Sequence, residues 1–468
     1  MARRRKNRSI SNLSIEKVAA EGKGLGRLDS GKVVFVDYAL PGDVVNAFIY
    51  KRKKDVSIAR INEVVEASPD RIDPFCSHFQ ACGGCRWQHA PYAKQLEYKQ
   101  NIVREAFERI GKVKDVALNP IVGADNIQYY RNKLEFTFSN KRWLTTEEAQ
   151  SDEVFDMEHA LGFHVPTFFD KIVDIDHCYL QPEPSNAIRL VAKAYALEHD
   201  LAFYDIRNNQ GLLRTLIIRT ASNGEVMVIL NLFEKNDIAL GLLDHLAEQI
   251  PAITSLNYVV NNRMNNSIQG LEITHYKGQD HIVETIGHCQ FRIAPASFFQ
   301  TNTQQATKLY ELTAEYAALT GNEIVYDLFT GTGTIANFVA KDAQKVVGIE
   351  IVEAAIEDAK KNTALNENDN CFFYAGKVEE LFDDELLQEY GAPDVIILDP
   401  PRAGIHKDVV AQLLKLKCPK IVYVSCNPAT QARDVDMLSE VYQVEKMQPV
   451  DMFPHTYHVE NVALLTLR

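Results

Sequence analysis

The chain has 468 residues, eight cysteines and a formal net charge of −13. That length implies two to three domains around a sizeable core, and the acidic balance does not advertise a nucleic-acid surface, although local basic patches supply phosphate contacts whatever the total. Eight thiols without a signal peptide or a long apolar run argue against secretion and membrane insertion, and for a reducing cytoplasm.

Residues 1–68 show short alternating runs, glycines at Gly22, Gly24 and Gly26, and a Pro41-Gly42-Asp43 turn. This is the pattern of a small β-barrel. Arg3-Arg4-Arg5-Lys6 and Lys51-Arg52-Lys53-Lys54 are candidate phosphate contacts; the first reads equally as a solvated tail. Residues 69–285 read as a mixed central domain, with a helix over 92–110, strands between 133 and 282, and helices over 184–198 and 238–249 interrupting them. Within it, Cys76, Cys82 and Cys85 follow a C-x5-C-x2-C spacing, Gly83 and Gly84 let the backbone wrap tightly, and Cys178 is a distant fourth thiol. Thiolates serve zinc and iron–sulfur centres alike, and this spacing is neither the paired C-x2-C of zinc ribbons nor the C-x3-C-x2-C of radical enzymes. Cys289, Cys371 and Cys418 have no partner spacing and read as core thiols.

Residues 286–468 alternate strand and helix. An apolar strand over 323–327 runs into Thr330-Gly331-Thr332-Gly333-Thr334 and a helix over 335–341; the next strand, 345–349, ends in Glu350. Glycine turn, helix, second strand and terminal acid in that order read as a nucleotide site, the acid gripping a ribose hydroxyl pair. No Gly-Lys-Ser/Thr follows the glycines, so an adenosyl ligand without a pyrophosphate fits better than a nucleoside triphosphate, S-adenosylmethionine being the commonest. A strand over 394–398 ends in Asp399-Pro400-Pro401-Arg402, and one over 421–424 ends in Ser425-Cys426-Asn427-Pro428 with a helix from about Thr430. A thiol at a helix N-terminus can be held partly as thiolate, the form that attacks carbon. Strands over 444–450 and 462–467 bracket a segment, 451–460, whose His455 and His458 form a weak metal signal; a solvated polar loop fits its composition as well.

The strings SFFQTN, DLFTGTG, DPPRAG, YVSCNPATQARD and FPHTYHVE occur in this order. Together they closely resemble the RNA (uracil-5-)-methyltransferases, over nearly the whole chain. The resemblance implies Cys426 as nucleophile and Glu460 as base. It implies methyl-donor contacts from Gln300, Phe329, Glu350 and Asp399, and Phe298 as the aromatic set against the target base. Arg402 is a candidate contact to uracil carbonyl or phosphate oxygens, or a structural ion pair, and Arg131 and Lys133 of the YRNK string fall where RNA contact is expected. One departure is TGTGTIA in place of the more usual CG-x-G-x-F form.

The implied fold is multidomain α/β: an OB-like β-barrel resembling the TRAM module (1–68), a mixed α+β central domain (69–285) and a Rossmann-like class I S-adenosylmethionine-dependent methyltransferase domain (286–468). Cys76, Cys82, Cys85 and Cys178 look like the 4Fe-4S site of the 23S ribosomal-RNA branch, zinc being the alternative. The expected activity is methylation of a uridine C5 in 23S rRNA by a cytoplasmic, monomeric enzyme with no membrane partner. The alternatives are the T-loop uridine of transfer RNA and, from another class, a non-catalytic iron–sulfur RNA-binding protein. Intact Cys426, Glu460 and Asp399 argue against the latter. An amino-group methyltransferase ordinarily has an aromatic after D-P-P, where this chain has Arg402.

Overall fold

The computed structural model describes residues 8–114 and 117–468; the Arg3–Lys6 cluster lies outside them. Strands Ser9–Val18, Gly24–Arg27, Val33–Asp37, Val44–Arg52 and Val56–Glu66 close into a barrel. Alternation puts Leu13, Ile15, Val34, Val36, Val45 and Ala47 inside it, as period-two patterning requires of a small barrel.

The central domain is built on an eight-stranded sheet backed by helices Ser185–Glu198 and Asp237–Gln249. Its strands Leu213–Thr220 and Val226–Leu232 are buried along their whole length. The hairpin Ile282–Ile286/Cys289–Ile293 then leads into helix Thr303–Ala317.

The C-terminal sheet also has eight strands. In spatial order they are Cys371–Ala375, Lys345–Glu350, Ile324–Leu328, Val395–Leu398, Lys420–Ser425, Glu460–Leu467, Tyr442–Val450 and Ala117–Leu118. The first five are parallel. The chain enters at Ile324–Leu328, winds outward to one edge, then returns at Val395–Leu398, so the order reverses between these two strands. Ligands of open α/β sheets bind at the carboxyl ends beside such a reversal. Glu460–Leu467 runs antiparallel to Lys420–Ser425, with Asn461 opposite Ser425. Antiparallel direction brings the start of this last strand to the end where the parallel strands finish. The strand begins two residues earlier than its apolar run indicates, so Glu460 is its first residue and not part of the preceding loop.

Helix Tyr92–Arg109 precedes the central sheet in sequence but packs on the catalytic one: Val103 and Phe107 share a core with Tyr423, Ala432 and Val435. Its inner face also carries Tyr92, Gln95 and Lys99, spaced three and four apart and therefore on one side of the helix. Lys99 and Asp451 are both fully buried, Nζ to Oδ1 2.5 Å. Tyr92 donates its hydroxyl to the other Asp451 oxygen at 2.8 Å, Lys99 also donates to the Phe453 carbonyl at 3.0 Å, and Gln95 accepts the His455 N–H at 2.9 Å. Three polar side chains of one helix thus fix the segment that ends in Glu460. The solvated-loop reading of 451–460 fails: Asp451, His455, Thr456 and Glu460 are all buried. Buried polar groups need partners, and helix Tyr92–Arg109 supplies them.

Removing one partner of a buried ion pair strands the other charge and costs about 3–5 kcal/mol. Lys99→Ala is expected to lower the unfolding free energy of the catalytic half by that order in chemical denaturation, and Lys99→Met with Asp451→Leu together to lower it by less.

Candidate active site

Four strand ends meet at the reversal. Leu328 leads into Phe329 and the glycine turn. Phe329 has φ +70°, a left-handed conformation that costs a non-glycine residue about 1–3 kcal/mol and concentrates at ligand sites. Gly331 has φ +56°, and a Cβ built there would meet nothing within 4 Å, so the turn faces open space that a ligand's polar edge can approach. The Gly331 N–H donates to Glu350 Oε2 at 3.2 Å and the Val352 N–H to Glu350 Oε1 at 3.0 Å, fixing the acid at the end of its strand. Ile351, next to Glu350, is an apolar side chain left exposed. A fixed acid, an open glycine turn and an exposed apolar residue fit an adenosine: ribose hydroxyls on Glu350 and the purine against Ile351.

Asp399 ends the neighbouring strand, and Cys426 follows the next one. Asn427 caps helix Pro428–Leu438, accepting the Ala429 N–H at 3.2 Å, and its amide donates to the Arg402 carbonyl at 3.0 Å. Thr430 donates to the same carbonyl at 3.1 Å. The D-P-P-R and S-C-N-P loops are therefore tied by their own capping residues. Arg402 Nη2 donates to His458 Nδ1 at 2.7 Å, and its positive charge favours the ionised form of the nearby Cys426 thiol.

The electrostatics are those of a crowded, water-poor carboxylate site. Burial, then the neighbouring Asp399 charge, pushes Glu460 up to about 8, against the pull of Arg402. Burial and then Asp327 push Asp399 up to about 7, and burial pushes Asp327 up to about 6. The thiol departs from the sequence expectation. Burial first, then Glu460 and Asp399, push Cys426 up to about 11; Arg402 pulls it down but does not win. Cys426 is thus held as thiol at neutral pH, chiefly because it is buried and secondarily because two carboxyl groups stand near it. His458 is pushed down to about 4 by burial and then by Arg402, so it accepts from Arg402 as a neutral ring.

Phe298 and Gln300 lie on the loop joining the hairpin to helix Thr303–Ala317. Phe298 is 71% exposed whereas Phe299 is core, so ordinary packing does not account for Phe298. The central domain holds this loop: Asn132 donates to the Gln300 carbonyl at 2.9 Å, and Arg219 to the Ser297 carbonyl at 2.6 Å. Lys133 is half-buried beside this contact; burial, then Arg219, lowers it to about 8. Arg131 is not on an open basic face; it lines a separate cavity of about 200 Å³.

That cavity is walled by Cys76, Cys82, Cys85 and Cys178, with Arg131 and His177. Burial and then mutual repulsion raise the thiols, Cys85 to about 12, while Cys178, raised chiefly by burial, reaches about 11. Among the described residues no set of three His, Cys, Asp or Glu side chains closes as the ligands of one metal ion do. A tetrahedral zinc keeps its sulfurs about 3.8 Å apart, from a Zn–S bond of about 2.3 Å. Four thiols around one cavity are a donor set of the kind that zinc and iron–sulfur centres both use. Cys289 and Cys418 are buried in apolar cores away from both sites. Among the described residues no helix is long and apolar enough to cross a membrane.

Sequence reasoning missed His458 as the acceptor that aims Arg402, and Tyr92, Gln95 and Lys99 as supports of the loop. For the last three a signal existed: polar residues at helical spacing on the face where Val103 and Phe107 are apolar.

Residues 279–468 match the sequence model of the family described as tRNA (Uracil-5-)-methyltransferase, and residues 4–61 that of the TRAM domain. An uncharacterized RNA methyltransferase of Bacteroides thetaiotaomicron is 50% identical over 455 residues, 96% of this chain and 100% of the relative. One of Porphyromonas gingivalis is 48% identical over 462 residues, covering 97% and 99%. The crystal structure of Pyrococcus abyssi tRNA (uracil-54, C5)-methyltransferase with S-adenosyl-L-homocysteine aligns with a TM-score of 0.75 at 29% identity, covering 97% of this chain and 100% of that one.

The Cys426 thiol gives a direct check on these charges. At about pH 9, above the Glu460 value of about 8, a charged Glu460 disfavours the thiolate and Arg402 favours it. Glu460→Gln is expected to speed alkylation of Cys426 by iodoacetamide and Arg402→Met to slow it, read from the Cys426 peptide by mass spectrometry.

Proposed function

The chain belongs to the S-adenosylmethionine-dependent RNA (uracil-5-)-methyltransferases, and from that premise we propose that it methylates C5 of a uridine in RNA through a covalent bond from Cys426. The observation that carries the reading is the meeting of Cys426, Arg402, Asp399 and Glu460 at the strand reversal, beside the glycine turn.

Uracil C5 is too weak a nucleophile to be alkylated directly. Cys426 loses its proton and bonds to C6, and the displaced electron pair makes an enolate with carbanion character at C5. The positive charge of Arg402 lowers the cost of the thiolate. Gln300, Phe329, Glu350 and Asp399 would hold S-adenosylmethionine, whose sulfonium would give up its methyl group to C5 and depart as the neutral thioether. Glu460 then takes the C5 proton, the ring double bond re-forms and Cys426 leaves. A carboxyl raised to about 8 is a strong base for its type and still ionises near working pH. The target base must leave its stack, which costs a few kcal/mol, and exposed Phe298 offers it a ring face.

The four thiols hold a 4Fe-4S cluster in this reading; methyl transfer consumes no electron, so its part is structural or positional. The barrel and thiol set favour 23S rRNA. A transfer-RNA substrate is the second reading, favoured by the Pyrococcus abyssi enzyme, whose alignment spans 97% of this chain, barrel region included. Mapping 5-methyluridine in ribosomal and transfer RNA from a deletion strain separates the two.

With RNA containing 5-fluorouridine and methyl donor, the chain is expected to accumulate a covalent adduct, since fluorine cannot be abstracted from C5. Cys426→Ala should give neither adduct nor product. Glu460→Gln should trap the methylated adduct on unmodified RNA and slow turnover about 10²–10⁴-fold; normal turnover would sink the base assignment. Protein prepared without oxygen should be brown and carry about four irons per chain. Stoichiometric zinc in place of iron would overturn the cluster reading.

A further inference from the structure

The thiol cavity and the catalytic loop share a wall. Arg86 and Trp87, directly after Cys85, donate backbone N–H groups to the His455 carbonyl at 2.7 and 3.1 Å. Phe75, directly before Cys76, sets its ring edge-on to His455 with centroids 5.0 Å apart. Tyr130 donates its hydroxyl to the Pro454 carbonyl at 2.9 Å. Arg131 stands between the two sites. Arg131 lines the thiol cavity, its charge acts on Cys85 and Cys178, and its Cζ lies 5.0 Å from the centre of the Phe453 ring. No acidic side chain lines that cavity, and the buried Arg131 Nε has no hydrogen-bond partner.

A guanidinium turned into a cavity without carboxylates is costly unless the occupant brings negative charge. A centre held by four thiolates does so, because the ligand charges outweigh that of the core. The same cation lies within cation–π range of the Phe453 ring in the loop before Glu460.

We propose that Arg131 is a positioning residue, the counter-ion of the thiolate-held centre, which transmits the presence of that centre to the catalytic loop through Phe453. It is not a phosphate contact. The inference rests on the cluster reading of the four thiols, but not on uracil chemistry.

The test compares wild type, Arg131→Gln and Arg131→Lys, prepared with the cluster intact. A nearby cation favours the reduced cluster, so Arg131→Gln should move the midpoint potential to more negative values. Its visible absorption should decay in air about tenfold faster or more, the usual effect of losing an outer-shell partner. Arg131→Lys should restore most of both. For a uridine-containing RNA hairpin, the slope of log affinity against log salt should stay as in the wild type. If potential and decay are unmoved, the role is wrong; a slope smaller by about one would assign Arg131 to phosphate instead. In the wild type, stripping iron with a chelator should raise hydrogen exchange of the 452–460 amides, and unchanged protection refutes the transmission without any variant. A wild type with no iron and no visible band sinks the cluster reading itself, and this role with it.

Discussion

Asp451 carries a carboxylate to a place water does not reach, and everything C-terminal to it depends on how that charge is met. Lys99 meets it from a helix more than three hundred residues earlier in the chain. Because Tyr92 and Gln95 lie on the same helix face, the same contact fixes Asp451, Phe453 and His455 together. The loop that follows then has one way to enter the last strand, and Glu460 arrives opposite the end of Lys420–Ser425. Glu460 is thus located by a buried ion pair remote from it in sequence.

Within the site the dominant influence is desolvation. Three carboxyl groups, Asp327, Asp399 and Glu460, are all raised, chiefly by burial. Burial first, and then the Glu460 and Asp399 charges, disfavour the Cys426 thiolate. Arg402 opposes this, and its aim is set by three neighbours: the neutral His458 ring accepts from its guanidinium, while Asn427 and Thr430 hold its carbonyl. A ring forced to stay neutral is the proper partner for a cation, since a charged imidazolium would repel it.

The barrel, thiol loop and catalytic loop converge on a few residues. Trp87 donates to the Gly22 carbonyl of the barrel, and a Cβ at Gly22 would lie 2.9 Å from Tyr457. Arg86 and Trp87 reach His455. Barrel, thiol loop and the 451–460 segment are therefore packed against one another through a few residues.

The sequence by itself determined the order of modules, the parallel strands and the helices over 92–110, 184–198 and 238–249, because hydrophobic period and glycine placement are local signals. It also placed Cys426, Asp399 and Glu350 at strand ends and grouped Cys76, Cys82 and Cys85 in one loop. Tertiary structure alone decided that the 451–460 segment is buried, that Glu460 begins a strand, that Arg131 faces thiols rather than solvent, and that Cys426 is stored protonated. Each of these depends on partners distant in sequence: Lys99 for the loop, Ser425 for the strand, Cys85 and Cys178 for the arginine, Glu460 and Asp399 for the thiol. Burial and charge are sums over neighbours in space, and one-dimensional periodicity carries no record of them.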